Sequence, residues 1–147
     1  MNARPILLTV FFFVLGGCAT FTISPDELVK QLKENQSSNE RFQILPGPTL
    51  FLGSKYPSNG IAVILCLNSK GEKIYLYPDK NTQLEITSKS TIEVVKMYWD
   101  TVFLVEGKLI GLRSRLIQTM TRQIAVEDIE KVEITAEFPK TRRLEEK

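Results

Sequence analysis

Two cysteines, three arginines and a few aromatic side chains carry most of the reactive or ligand-binding potential of this 147-residue chain, because it contains no histidine. Without imidazole there is no His-dependent triad, no His-based zinc site and no side chain whose ordinary pKa lies near neutrality. Cysteine reacts only as thiolate. Cys66 sits within Ile61-Ala62-Val63-Ile64-Leu65-Cys66-Leu67. There burial would hold the thiol protonated, so it is expected to act as a small hydrophobe. Cys18 has different surroundings: Leu15-Gly16-Gly17 before it, Ala19-Thr20-Phe21-Thr22 after it.

Arg113, Arg115 and Arg122 form the concentrated cationic group. Arg113 and Arg115 alternate with Leu112, Ser114 and Leu116, which in a strand would project both guanidinium groups from one face. Such a patch could hold a phosphate, a carboxylate, lipopolysaccharide or a protein partner. The competing expectation is cross-strand pairing with Glu127, Asp128, Glu130 or Glu133. Pairing is favoured, because exposed ion pairs are common and worth only about 0–1 kcal/mol. Tyr75 and Tyr77, with Tyr98 and Trp99, offer an aromatic surface for a sugar or peptide. Aromatic residues also pack across strands for structural reasons, and that reading is preferred.

No G-x-S-x-G elbow, phosphate-binding glycine loop or metal-ligand cluster is visible. Asp79, Asp100 and Asp128 fall in separate turns. A two-carboxylate glycosidase usually needs a larger scaffold. A non-enzymatic chain is therefore the favoured reading, with an enzyme left open as the alternative and no catalytic, cofactor-binding or metal-binding residues assigned.

The amino terminus has the layout of a secretory signal. Residues 1–5 are polar with one cation, Arg4; residues 6–15 are apolar except for Thr9; small residues follow. The apolar run is about ten residues, roughly half of what crosses a bilayer as a helix. Leu15-Gly16-Gly17-Cys18 resembles the lipobox of bacterial lipoproteins. That resemblance covers the first twenty residues. It implies a diacylglyceryl thioether on Cys18, cleavage before it, and attachment to a membrane through the lipid. Cys66 would then lack an intrachain disulfide partner. A residue other than Asp after the cysteine implies, by the same resemblance, the outer membrane facing the periplasm in a diderm host. The expected division is 1–17 signal, 18–23 lipidated tether, 24–138 a single β-rich domain and 139–147 a charged tail that frays.

The formal net charge of +2 falls by one if residues 1–17 are removed, since Arg4 leaves and no acid does. Near neutrality there is no electrostatic case for nucleic acid or for adsorption to anionic lipid.

Ser24-Pro25-Asp26-Glu27 predicts a helix start: Ser24 as cap, Pro25 in the first turn, and Glu27 reaching back in a capping box. Ile23 and Leu28 are spaced for a hydrophobic staple. The helix is expected to end near Glu34, with Leu28, Val29 and Leu32 as its apolar stripe. About three turns are marginal alone, so the helix must dock, on its own domain or on a partner or membrane.

Thereafter the hydrophobic period is two. Strands are expected at 42–45, 49–52, 61–67, 72–77, 82–87, 92–99, 101–105, 108–116, 122–126 and 131–138, with a turn at 57–60. The face switch from Val94 to Val95 suggests a bulge or a bend between sheets. Glu106-Gly107 closes a hairpin. Gly111 marks a bend or a tight approach, and 127–129 a helical turn. The fold class is mainly β: one short N-terminal helix followed by an antiparallel barrel or sandwich of about eight strands. From Thr101 onward the order is similar to the end of SH3-like or Sm-like barrels, and the whole resembles short β-rich lipoproteins; neither resemblance carries an activity.

Three functional expectations follow: a non-catalytic binding or structural module at the membrane, engaging an envelope protein or polymer; a small envelope hydrolase or transferase; and an accessory subunit docking through residues 25–34.

Overall fold

The computed structural model describes residues 17–39, 41–45, 54–115, 117 and 119–144. The apolar run read as a signal, the strand expected at 49–52 and the side chain of Leu116 lie outside them. The elements in order are β1 (Ala19–Ile23), α1 (Pro25–Asn39), β2 (Arg41–Leu45), β3 (Ser54–Ser58), β4 (Ile64–Leu67), β5 (Lys73–Tyr77) and β6 (Gln83–Ser88). They continue with β7 (Val94–Tyr98), a 3₁₀ turn Trp99–Thr101, β8 (Phe103–Val105), β9 (Lys108–Leu112) and β10 (Thr121–Ala125). A second 3₁₀ turn, Val126–Asp128, precedes β11 (Ile129–Ala136) and β12 (Lys140–Arg143). The fold is mainly β and antiparallel, with one α-helix among the described residues.

A seven-stranded sheet runs in the order β12-β5-β4-β1-β11-β6-β7; β10-β9-β8 form a second sheet and β2-β3 a hairpin. Among the described residues the large sheet ends at β12 and β7 and does not close into a barrel. It must nevertheless curl. Four strand spacings, about 19 Å, would separate β12 from β11 in a flat sheet. Residues 137–139 are the only link, and four Cα steps reach only about 15 Å. Consistent with that curl, Tyr77, Pro78 and Asp79 share a cavity with Ala136, Glu137 and Phe138.

Alternation decides which face is core. In β5, β6 and β11 the pairs Ile74 and Leu76, Leu84 and Ile86, and Val132 and Ile134 are all at most 3% exposed. Their neighbours on the other face are more accessible. Helix α1 packs against β8 and β11. Its first turn is capped as expected, with the Glu27 N–H donating to Ser24 Oγ at 3.3 Å. The return arm of the capping box is replaced: the Glu27 carboxylate accepts from Gln31 Nε2 at 3.0 Å. The helix continues to Asn39, five residues beyond the expected end, because nothing between 35 and 39 is a glycine or proline. Leu28 and Leu32 are fully buried in the domain's own core. Each contributes about 1.5–3 kcal/mol by leaving water, so the apolar stripe docks internally.

Several expectations need correction. Residues 19–23 are not a tether but the middle strand of the large sheet, paired from Ala19↔Ala136 to Ile23↔Val132. The physical reason is alternation: Phe21 and Ile23 point inward, while Thr20 and Thr22 face outward. Residues 140–143 do not fray; they pair with β5 from Lys140↔Tyr77 to Arg143↔Ile74. Among the described residues there are twelve strands where about eight were expected, partly because the 57–60 turn is displaced by β3, which runs through Pro57 and Ser58. The strand expected at 61–67 begins only at Ile64. Pairing of β7 with β6 is continuous, so the face switch at Val94 is no bulge; the register shift lies between Ile129 and Lys131. The Glu106-Gly107 hairpin forms as expected, both residues having positive φ (48° and 76°) as a type I′ turn requires.

Candidate functional site

The most interconnected polar group surrounds Arg115. The chain leaves β9 at Leu112 and turns Arg115 back under the molecule, where it is 8% exposed. Its Nη2 donates to Asp100 Oδ1 at 2.7 Å. Its guanidinium carbon lies 3.9 Å from the Tyr98 ring centroid and 5.5 Å from that of Tyr56. The Tyr56 hydroxyl donates to the other carboxylate oxygen of Asp100 at 2.8 Å. Burial, followed by the hydrogen bond and charge of Asp100, pushes the Tyr56 phenol up to about 12.

Each member comes from a different element: Tyr56 from β3, Tyr98 from β7, Asp100 from the first 3₁₀ turn, Arg115 from beyond β9. Asn59 extends the network. Its Nδ2 donates to the carbonyls of Trp99 (2.8 Å) and Val102 (3.0 Å), and its Oδ1 accepts from Ile61 N–H at 3.0 Å. The group therefore ties the β2-β3 hairpin and both sheets together. Chemically it is a neutralised, sandwiched cation. Its carboxylate is engaged at both oxygens, and nothing in it is poised as a nucleophile.

This arrangement divides the expected arginine patch. Arg115 points inward and pairs with Asp100, not with an acid between 127 and 133, while Arg113 and Arg122 are exposed. Strand alternation does not extend to Arg113 and Arg115, because β9 ends at Leu112. Arg113 lines a small cavity of about 230 Å³ with Gln83, Lys96, Met97 and Tyr98. Lys96 is bonded to Glu85 at 2.9 Å. Arg122 stands opposite Gly111. Among the acids proposed as partners, Asp128 accepts instead from Ser88 Oγ (2.6 Å), Ser90 Oγ (2.9 Å) and Ser90 N–H (2.9 Å), which holds its carboxyl below the usual range. Tyr75 and Tyr77 are half-buried side by side on the outer face of β5. Arg142 from β12 lies 5.2 Å from the Tyr75 centroid, so that aromatic face is partly covered by the chain itself.

The two cysteines differ as expected of their settings. Cys66 is 4% exposed, and burial raises its thiol to about 11. Cys18 is exposed and directly precedes β1. An apolar cavity of about 230 Å³, lined in part by Ile23, Leu65, Cys66 and Leu67, opens where β1 and β4 share a single paired position, Thr22↔Leu67. Among the described residues no group of three or more Cys, Asp or Glu could hold a metal, and no helix is long and apolar enough to cross a membrane.

Sequence reasoning misses Tyr56, Asn59 and the role of Asp100. Tyr56 and Asp100 lie 44 residues apart, and nothing local marks them as partners. Comparison with protein-family models, with curated proteins and with solved structures finds no match.

Proposed function

We propose that this chain is a lipid-anchored bacterial envelope protein, acting without catalysis as a binding or structural module at the membrane surface. In a diderm host it would sit on the outer membrane, facing the periplasm. The observation that carries this reading is the Leu15-Gly16-Gly17-Cys18 segment, with Cys18 exposed and the folded domain beginning at the next residue. Transfer of a diacylglyceryl group needs an accessible thiol, which Cys18 offers. Two or three acyl chains on one residue would hold the domain almost permanently, since each buried CH₂ contributes about 0.8 kcal/mol. The non-catalytic part of the reading is supported by the engaged state of the Asp100 carboxylate, which accepts from Arg115 Nη2 at one oxygen and from the Tyr56 hydroxyl at the other.

The test is mass spectrometry of the mature amino terminus taken from membranes, together with fractionation of Cys18→Ser. A diacylglyceryl thioether on Cys18, and release of the serine variant into the soluble fraction, are expected. An unmodified amino-terminal peptide, or a serine variant still held by washed vesicles, would defeat the reading.

A further inference from the structure

We propose that the end of the molecule carrying Cys18 and Phe138 is a bilayer-contacting rim, with the Phe138 ring inserted among the lipid chains. The proposal rests on the lipid-anchor reading above and adds an orientation to it.

The pairing Ala19↔Ala136 fixes the geometry. In antiparallel strands Cys18 lies one residue, and Phe138 two, beyond the same paired end, so chain length keeps them within about 17 Å of each other. No spacer intervenes: Ala19 is already in the sheet. Lipid on Cys18 would therefore hold this end against the headgroups instead of letting the domain swing on a leash.

Phe138 is the least expected side chain at that end. It is 83% exposed and its φ is +48°, a conformation that bulky residues rarely adopt. The link from β11 to β12 spends this strained geometry on presenting an aromatic ring to the outside. Pro78 and Pro139, beside it, line a shared cleft of about 540 Å³ with Tyr77. An amphipathic aromatic rim is what the interface between water and hydrocarbon accommodates.

The charged side chains lining the cleft beside Phe138 are Asp79, Glu137 and Lys140, with no cationic excess. Adsorption through cations is therefore not the mechanism; contact is through the ring. The far end of the sheet behaves as an internal control. Ile92, 99% exposed, precedes β7 near the level of Ile129 and Ser88. Seven residues of β11 put it about 23 Å further from the anchor.

The experiment uses acylated protein purified from membranes and reconstituted in phosphatidylcholine vesicles, with or without bromine on the acyl chains. Phe138→Trp and Ile92→Trp are compared with the parent, whose single Trp99 is buried and reports that the fold is intact. Glu137→Trp repeats the reading one position along. Phe138→Trp emission should shift to the blue and be quenched about two-fold by brominated chains, as interfacial depth requires, while Ile92→Trp is untouched. The effect should persist at high salt. Equal behaviour of the two tryptophans on acylated protein, or loss of quenching at high salt, would overturn the rim and leave the anchor standing. Intact mass without acylation would overturn the anchor and the rim together.

Discussion

Gln31 of α1 and Leu65 of β4 bond to each other as two strands do. The Gln31 Nε2 donates to the Leu65 carbonyl at 2.9 Å, and the Leu65 N–H donates to Gln31 Oε1 at 3.0 Å. β4 shares only one paired position with β1, so the side-chain amide supplies the partner that the sheet does not. An amide is the one side-chain group with a donor and an acceptor at peptide spacing.

Replacing Gln31 by Ala should leave both Leu65 groups unpaired in a part-buried site and lower stability by about 2–4 kcal/mol. Gln31→Glu retains an acceptor but no donor and puts a charge at a buried position. It should be as damaging near neutral pH. Urea midpoints check both; a loss under about 0.5 kcal/mol would show that water replaces the amide.

Asp100 neutralises a buried cation. Asp100→Ala should strand Arg115 and destabilise by about 3–5 kcal/mol, whereas Asp100→Leu combined with Arg115→Met should cost much less than the two single changes together. A double-mutant cycle measures the difference, and strict additivity would mean the pair is energetically idle.

Tyr56 makes this cluster sensitive to alkali. Its folded pKa, about 12, lies above the ordinary 10 of an unfolded tyrosine. The stability it supplies is thus complete below pH 10 and is lost as pH rises through about 12. Parent and Tyr56→Phe should differ by a constant amount up to pH 10 and converge above it. Denaturation followed at a series of alkaline pH values gives the comparison; parallel curves throughout would contradict it.

Gly111 lets β9 approach β7. A Cβ there would stand 2.6 Å from Met97 Sδ and 3.0 Å from Met97 Cβ. The sulfur can swing aside but the Cβ cannot, so Gly111→Ala should cost about 1–3 kcal/mol through overpacking. Thermal unfolding of the variant, alone and with Met97→Ala, checks this: the second change should recover part of the loss caused by the first.

Cys18 and Cys66 should separate cleanly in reactivity. On folded protein with residue 18 unmodified, a maleimide at pH 8 should label Cys18 alone, since the Cys66 thiol is buried and titrates near 11. Denaturant should expose the second site. Peptide mapping reads both, and rapid labelling of Cys66 in the native state would contradict the packing.

Much of the architecture is legible along the chain because its causes are local. Alternation at Ile74 and Leu76, Leu84 and Ile86, and Val132 and Ile134 announces an inner face. Ser24 and Pro25 announce a helix start, and Glu106-Gly107 a two-residue turn. The environment of each cysteine follows from its immediate neighbours. Other features have no local cause. Residues 19–23 become a central strand only because β11 lies alongside, and 140–143 become an edge strand only because the large sheet curls to meet them. Arg115, three residues beyond the end of β9, turns inward because Asp100, Tyr98 and Tyr56 converge there. Helix starts, turns and strand faces are set by torsions and side-chain period over a few residues, so the amino-acid order determines them alone. Which strands become neighbours, and which polar groups are buried together, depend on contacts between distant segments, and these exist only once the chain has folded.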